Sequence, residues 1–227
     1  MRIGIICASD RELEPFIQDI LEEKCSEKAM LQIHEGKIGC HEIVYLYSGV
    51  CKVNAAIATQ MIIDMYHVDL VINAGVAGGI DSKINILDTV IGTEVAYHDV
   101  DKGILTDYHP WMQSVYFKMD EKFISKLGKL AERINTEGNI YFGKMVTGEK
   151  FISGDDRQAI IDSFKPLSVD METGSIAHVC YVNKVPFIAI RSITDTADNS
   201  ASTNFENNCK KASEIAKNIT LAFINDL

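Results

Sequence analysis

The sequence predicts an α/β protein in which a largely parallel or mixed sheet is covered by helices on both faces. Three observations carry that prediction. Short apolar runs of strand character alternate along the chain with longer runs of helical spacing. Several apolar runs give way at their carboxyl ends to glycines or acids, the edge where open α/β sheets place their sites. No repeat, low-complexity tract or linker divides the 227 residues, a length sufficient for one well-packed core, so a single domain over 1–227 is expected.

Taken in order, residues 2–8 read as a buried strand and 11–22 as a helix. Residues 31–38 and 41–48 alternate like a hairpin around Gly39. Helical spacing returns over 52–66. A short apolar strand at 69–73 then ends in the glycine-rich segment Ala74-Gly75-Val76-Ala77-Gly78-Gly79. A strand is expected at 89–97, a loop of some size over 101–119 with Pro110 and Trp111, and a helix at 121–134. Strands follow at 140–146, 167–171 and 185–190 with helices between them, and a helix over 205–224 closes the pattern.

Composition narrows the function. Apolar residues at 47% and charged residues at 24% describe an ordinary globule. A net charge of −10 argues against a nucleic-acid partner and against attraction to anionic membrane. The apolar run at 3–8 is too short for a signal peptide and no stretch approaches the roughly 20 residues that span a bilayer, so a cytoplasmic protein is expected. Six cysteines without a Cys-x-x-Cys pair, several of them in apolar segments, read as reduced, buried thiols.

Chemistry-bearing residues concentrate at strand ends. The 73–79 segment lacks the spacing of either nucleotide-cofactor glycine motif, which leaves a tight turn and a close ligand approach equally open. His98, Asp99 and Asp101 are of metal-ligand type, but no distant partner set supports a zinc site; no metal or cofactor is expected, and a hydrogen-bonded strand end is the better reading. In Val169-Asp170-Met171-Glu172-Thr173-Gly174, alternation sends Asp170 and Glu172 to one side and Met171 to the other, just before a helix. Arg191, Thr194, Asp195 and Asp198 lie beyond the next apolar strand, and Glu12 follows the first. Three strands thus deliver acids to what could be one edge.

These segments resemble the 5′-methylthioadenosine/S-adenosylhomocysteine nucleosidases of the purine nucleoside phosphorylase and nucleosidase superfamily. The likeness runs over nearly the whole chain: Ile3-Gly4-Ile5-Ile6 with Glu12, Ser48-Gly49 before Lys52-Val53, the 73–79 glycine segment, Tyr97-His98-Asp99-Val100-Asp101, Thr147-Gly148-Glu149-Lys150-Phe151-Ile152, Val169–Glu172 and Arg191-Ser192-Ile193-Thr194-Asp195. It implies a three-layer α/β/α sandwich with a central mixed sheet and a homodimer. It also implies hydrolysis of the N-glycosidic bond in 5′-methylthioadenosine, S-adenosylhomocysteine and, as a further candidate, 5′-deoxyadenosine. Glu12 and Asp195 would be catalytic, Glu12 deprotonating water and Asp195 protonating N7 of adenine. Glu172 would hold the ribose hydroxyls, Met171 would lie against the sugar, Phe151 would stack on the base and the Ile152 backbone would pair with the purine edge. Gly78 would let the chain approach the ligand, and Val76, Arg191, Thr194 and Phe205 complete the implied binding set. Asp170 and Glu149 depart from the pattern, which has Glu and Asp there, and residues 104–116 match poorly where the family builds its 5′-substituent pocket.

Elementary chemistry asks for the same division of labour. Adenine leaves badly as an anion, so one carboxyl must supply a proton while another prepares water on the opposite face of an oxocarbenium-like sugar. Opposite roles need different surroundings. Two rivals are weighed against this: phosphorolysis, which needs several cations around a phosphate where only Arg11 stands near Glu12, and a non-catalytic adenine-nucleoside sensor, which has no need of both Glu12 and Asp195.

Overall fold

The computed structural model describes residues 1–108, 112–154, 156–196 and 201–227. Its elements alternate as the sequence predicts. The first is β1 (Arg2–Cys7), followed by α1 (Asp10–Asp19), β2 (Leu21–Lys28), β3 (Leu31–Ile38), β4 (His41–Tyr47), α2 (Lys52–Tyr66), β5 (Leu70–Gly79) and β6 (Thr89–Tyr97). The second half holds α3 (Lys102–Tyr108), β7 (Phe117–Lys118), α4 (Glu121–Ala131), β8 (Ile140–Thr147), α5 (Asp156–Phe164), β9 (Ser168–Asp170), α6 (Thr173–Asn183), β10 (Phe187–Asp195) and α7 (Ala201–Asn225).

The sheet is mixed. β1 pairs in parallel with β4 and β5, β5 in parallel with β10, and β6 antiparallel to β10. Alternation along each strand sorts its side chains into two cores. Ile6, Val44, Leu46 and Val71 pack with Ala58 and Ile62 of α2 and Ile176 of α6. Ile3, Ile5, Ile72 and Ile188 pack with Phe16 of α1, Leu127 of α4 and Phe223 of α7. Two helical layers therefore enclose the sheet, and each fully buried Ile or Leu contributes about 1.5–3 kcal/mol to holding them there.

β5 outlasts its neighbour β1, whose pairing stops at Asn73. The edge thus freed is taken by β9, antiparallel at Gly78 and Gly79. Because β9 also pairs with β8, β8 with β6, and β6 with β10, the strands β5, β10, β6, β8 and β9 close on themselves beside the open part of the sheet. The carboxyl ends of β5 and β10, with β9, meet at this closure.

Four sequence expectations are corrected. The first helix stops at Asp19 instead of residue 22, and Leu21–Lys28 forms an edge strand paired antiparallel with β3. Its run of charged residues hides strand character while suiting an edge, where charge deters pairing with other chains. The glycine segment 74–79 is strand, not turn, since β10 pairs with it as far as Gly78. The strand expected at 185–190 continues to Asp195. The expected loop at 101–119 contains α3 and β7; Pro110 and Trp111 fall outside the described residues, as does Asp198. The hairpin turns at Gly39, whose φ of +57° suits a residue without a side chain.

Candidate active site

Glu12 is the third residue of α1, and Ser9 caps that helix in a reciprocal capping box. The first-turn acid is nevertheless buried, 2% exposed. Its Oε2 accepts from the Ala8 N–H at 2.7 Å and the Ser9 N–H at 2.8 Å, while Oε1 accepts from the Val76 N–H of β5 at 2.7 Å. Oε1 thus keeps a lone pair for a further donor. A Cβ on Gly75 would lie 2.2 Å from Oε1, so only glycine lets β5 pass this close.

Asp195 ends β10, opposite Gly78 and just past an irregularity in the β5–β10 register. Thr194 donates its hydroxyl to Asp195 Oδ2 at 2.9 Å, and Asn208 of α7 donates to the Thr194 carbonyl at 3.1 Å. Asp195 is as buried as Glu12, 2% exposed.

Arg191, also in β10, is buried and faces three carboxyl groups: Glu172 at 3.3 Å, Asp170 at 3.5 Å and Glu12 at 3.7 Å. Burial opposes its charge, and the three acids outweigh burial and raise its pKa. Glu172 occupies the N-cap position of α6 without capping it by its side chain; its carboxyl turns instead to Arg191 and accepts from the Cys51 N–H at 3.0 Å. Burial, then the neighbouring Asp170 and Glu12, push the Glu172 carboxyl up to about 8 against the pull of Arg191. Asp170 is the platform beneath: it accepts from the Thr147 hydroxyl at 2.6 Å and from the backbone N–H groups of Glu172 and Thr173 at 3.3 and 3.2 Å.

These groups line one cavity of about 260 Å³. Glu12, Arg191, Glu172 and Asp195 form its polar wall, with Val76, Gly78 and Thr194 beside them. Met171, Ile152, Phe151 and Phe205 supply apolar surface, and the two phenylalanine rings meet edge to face at 6.0 Å. Among the described residues no cluster of His, Cys, Asp or Glu is arranged to hold a metal ion. His98, Asp99 and Asp101 sit outside the cavity lining, with Asp99 accepting from Lys52 and from the Glu149 N–H at 2.9 Å each.

The chain matches the model of the phosphorylase superfamily over residues 2–225. It is 37% identical over 218 residues to a 5′-methylthioadenosine/S-adenosylhomocysteine nucleosidase of an Exiguobacterium species, covering 94% of this chain and 93% of that one. A nucleosidase of the same name from Glaesserella parasuis is 35% identical over 100% of this chain and 99% of its own length. The chain belongs to the 5′-methylthioadenosine/S-adenosylhomocysteine nucleosidase family. Its fold superposes with a TM-score of 0.92, at 31% identity and over 100% of this chain and 99% of the other, on the Streptococcus pneumoniae nucleosidase solved with the transition-state inhibitor MT-ImmA.

For this family member, the eleven residues singled out from sequence all line the same cavity. What sequence reasoning missed is mostly backbone: the N–H groups of Ala8, Ser9 and Val76 on Glu12, and that of Cys51 on Glu172. Gly75 is a further omission. It sits within the quoted glycine segment, where the expected approach was placed at Gly78; a Cβ on Gly78 would meet Asp195 at 3.1 Å, a milder contact. No described helix is long and apolar enough to cross a membrane.

Proposed function

We propose that this chain hydrolyses the N-glycosidic bond of 5′-substituted adenine nucleosides, chiefly 5′-methylthioadenosine and S-adenosylhomocysteine, releasing adenine and the 5′-substituted ribose. The observation that carries the reading is that Glu12 and Asp195 are both buried yet both open onto one cavity, delivered by separate elements of the sheet. Asp195 protonates N7 of adenine as the bond from C1′ to the base breaks, so the bonding pair leaves on a neutral purine. Water then bonds to C1′ and its proton passes to Glu12 through the spare lone pair of Oε1. Each proton transfer contributes on the order of 10²–10⁴ in rate.

The remaining wall serves binding. Glu172 receives the ribose hydroxyls, Met171 lies under the sugar, Phe151 stacks on the base with Phe205 behind it, and the Ile152 backbone pairs with the purine edge. Three carboxyl groups around one guanidinium leave the wall short of positive charge, which suits a developing sugar cation.

The same wall disfavours phosphorolysis. Arg191 is committed to three acids, and Arg11 is exposed and paired with Glu206. A sensor would need neither the shared cavity of Glu12 and Asp195 nor the close fit of Gly75 to Glu12. The chain acts as a single domain, since both cores are built on one sheet, and as a cytoplasmic enzyme. It acts as a homodimer, a reading supported by exposed apolar side chains: Val50, which also lines the cavity, Val53 and Ile57 on α2, and Tyr181 and Val182 on α6. Product analysis with and without inorganic phosphate tests the reaction. Equimolar adenine and free 5′-methylthioribose at an unchanged rate is expected; a sugar phosphate, or dependence of turnover on phosphate, contradicts it.

A further inference from the structure

Cys51 precedes α2 with φ 82° and ψ 163°, a backbone region that is essentially reserved for glycine. Such a conformation persists only where its surroundings determine it from several sides. Here they do. The Lys52 N–H, next in the chain, donates to Glu149 Oε1 at 3.1 Å, and the Ser175 hydroxyl of α6 donates to the Lys52 carbonyl at 2.6 Å. The Cys51 carbonyl accepts the Ala55 N–H at 3.1 Å as α2 begins. This arrangement directs the Cys51 N–H toward the cavity wall, 3.0 Å from Glu172 Oε1.

We infer that Cys51 is a positioning residue that acts through its strained backbone: its N–H, and not its thiol, sets the Glu172 carboxyl where ribose hydroxyls must meet it. Glu172 lacks the three backbone donors that fix Glu12; Arg191 at 3.3 Å and this N–H at 3.0 Å hold its carboxyl instead. The thiol is not the acting group, because burial and then Glu149 raise it to about 11, which keeps it protonated near neutrality. The function of the strain is geometric. With φ in the ordinary negative range, an N–H at the start of α2 would not face β9 and α6.

The inference rests on the proposed role of Glu172, so the test carries Glu172→Ala as its control. Adenine release is measured for 5′-methylthioadenosine and its 2′-deoxy analogue in wild type, Cys51→Gly, Cys51→Ala and Cys51→Val. Glycine adopts the required backbone freely, and alanine keeps the same single Cβ as cysteine. Both should stay within about twofold of wild type in kcat/KM, with the glycine variant melting no lower. Valine, branched at Cβ, cannot hold φ +82° and should draw the N–H away. The weakened hydrogen bond then raises KM for the ribo substrate by up to about tenfold, with a smaller effect on the 2′-deoxy analogue. Equal kinetics for valine and wild type would overturn the inference, as would a loss in the glycine variant matching that of valine, which would point to the thiol. If the valine variant does not fold, the glycine and alanine variants still decide: a loss of activity in both contradicts the backbone role. If Glu172→Ala itself does not discriminate the two substrates, the fault lies with the role of Glu172 and not with Cys51.

Discussion

Glu12 and Glu172 meet the same guanidinium in two different ways. Glu12 is fixed by three backbone N–H groups at 2.7–2.8 Å from two separate elements, and Arg191 stands back at 3.7 Å. Glu172 leans on Arg191 at 3.3 Å and on a single backbone N–H at 3.0 Å. Burial is the same for both, so the difference lies in the donors. A carboxyl clamped by the main chain is aimed, as a base that must meet one water requires. A carboxyl with a free lone pair on each oxygen can take two hydroxyl donors, as a ribose offers, and burial together with the neighbouring Asp170 and Glu12 raises its pKa.

The largest effect expected from that contrast is on Glu12. Glu12→Gln keeps the volume and the capping position but cannot take a proton from water, so single-turnover adenine release should fall by about 10²-fold or more while the substrate still binds. A surface first-turn acid would instead cost only about 0.3–1 kcal/mol of stability and leave turnover intact. A thermal melt recorded beside the kinetics separates the two.

Glu172→Ala should act more on binding. Each lost hydrogen bond to a ribose hydroxyl is worth about 0.5–1.5 kcal/mol, so KM rises together with a fall in rate. The 2′-deoxy substrate, already lacking one hydroxyl, should suffer less. Equal losses on the two substrates would erase the distinction drawn between the two glutamates.

The third effect is a pH slope. The Glu172 carboxyl is raised from its ordinary 4.5 to about 8 in the folded chain. A group raised in this way stabilises the fold fully below its unfolded pKa, and that contribution is lost as pH rises through the folded one. Wild-type melting temperature should therefore carry a downward component between about pH 5 and pH 8 that Glu172→Gln removes. Parallel melting curves for the two proteins across that range would show that Glu172 does not carry the shift.

The sequence was legible where one face of an element was plainly apolar. The expected bounds of α2 and β6 match the structure, and β1 differs by one residue, because Ile, Val and Ala recur there at the period of the element. It was opaque where strands run through the site. Arg191, Thr194 and Asp195 are polar residues inside a fully buried strand, and they read as loop because a hydrophobic pattern cannot anticipate a cavity. β2 was missed for the opposite reason, its charges being those of an exposed edge. At the site itself, side chains such as Glu12, Glu172 and Asp195 could be named in advance from their motifs. Gly75, Cys51 and the backbone donors of Ala8 and Ser9 could not, since a main-chain N–H carries no residue signature and only the packing of β5 against α1 shows which one is used.

If two buried carboxyls on one cavity perform opposite proton transfers, Asp195→Asn removes one of them and leaves the other in place. The amide preserves shape but is no proton donor of comparable acidity. Single-turnover adenine release from 5′-methylthioadenosine, measured with enzyme in excess and with binding followed separately by calorimetry, should show substrate bound at near wild-type affinity and release slowed by about 10²-fold or more. Release at a near wild-type rate from that variant would show that Asp195 is not the proton donor.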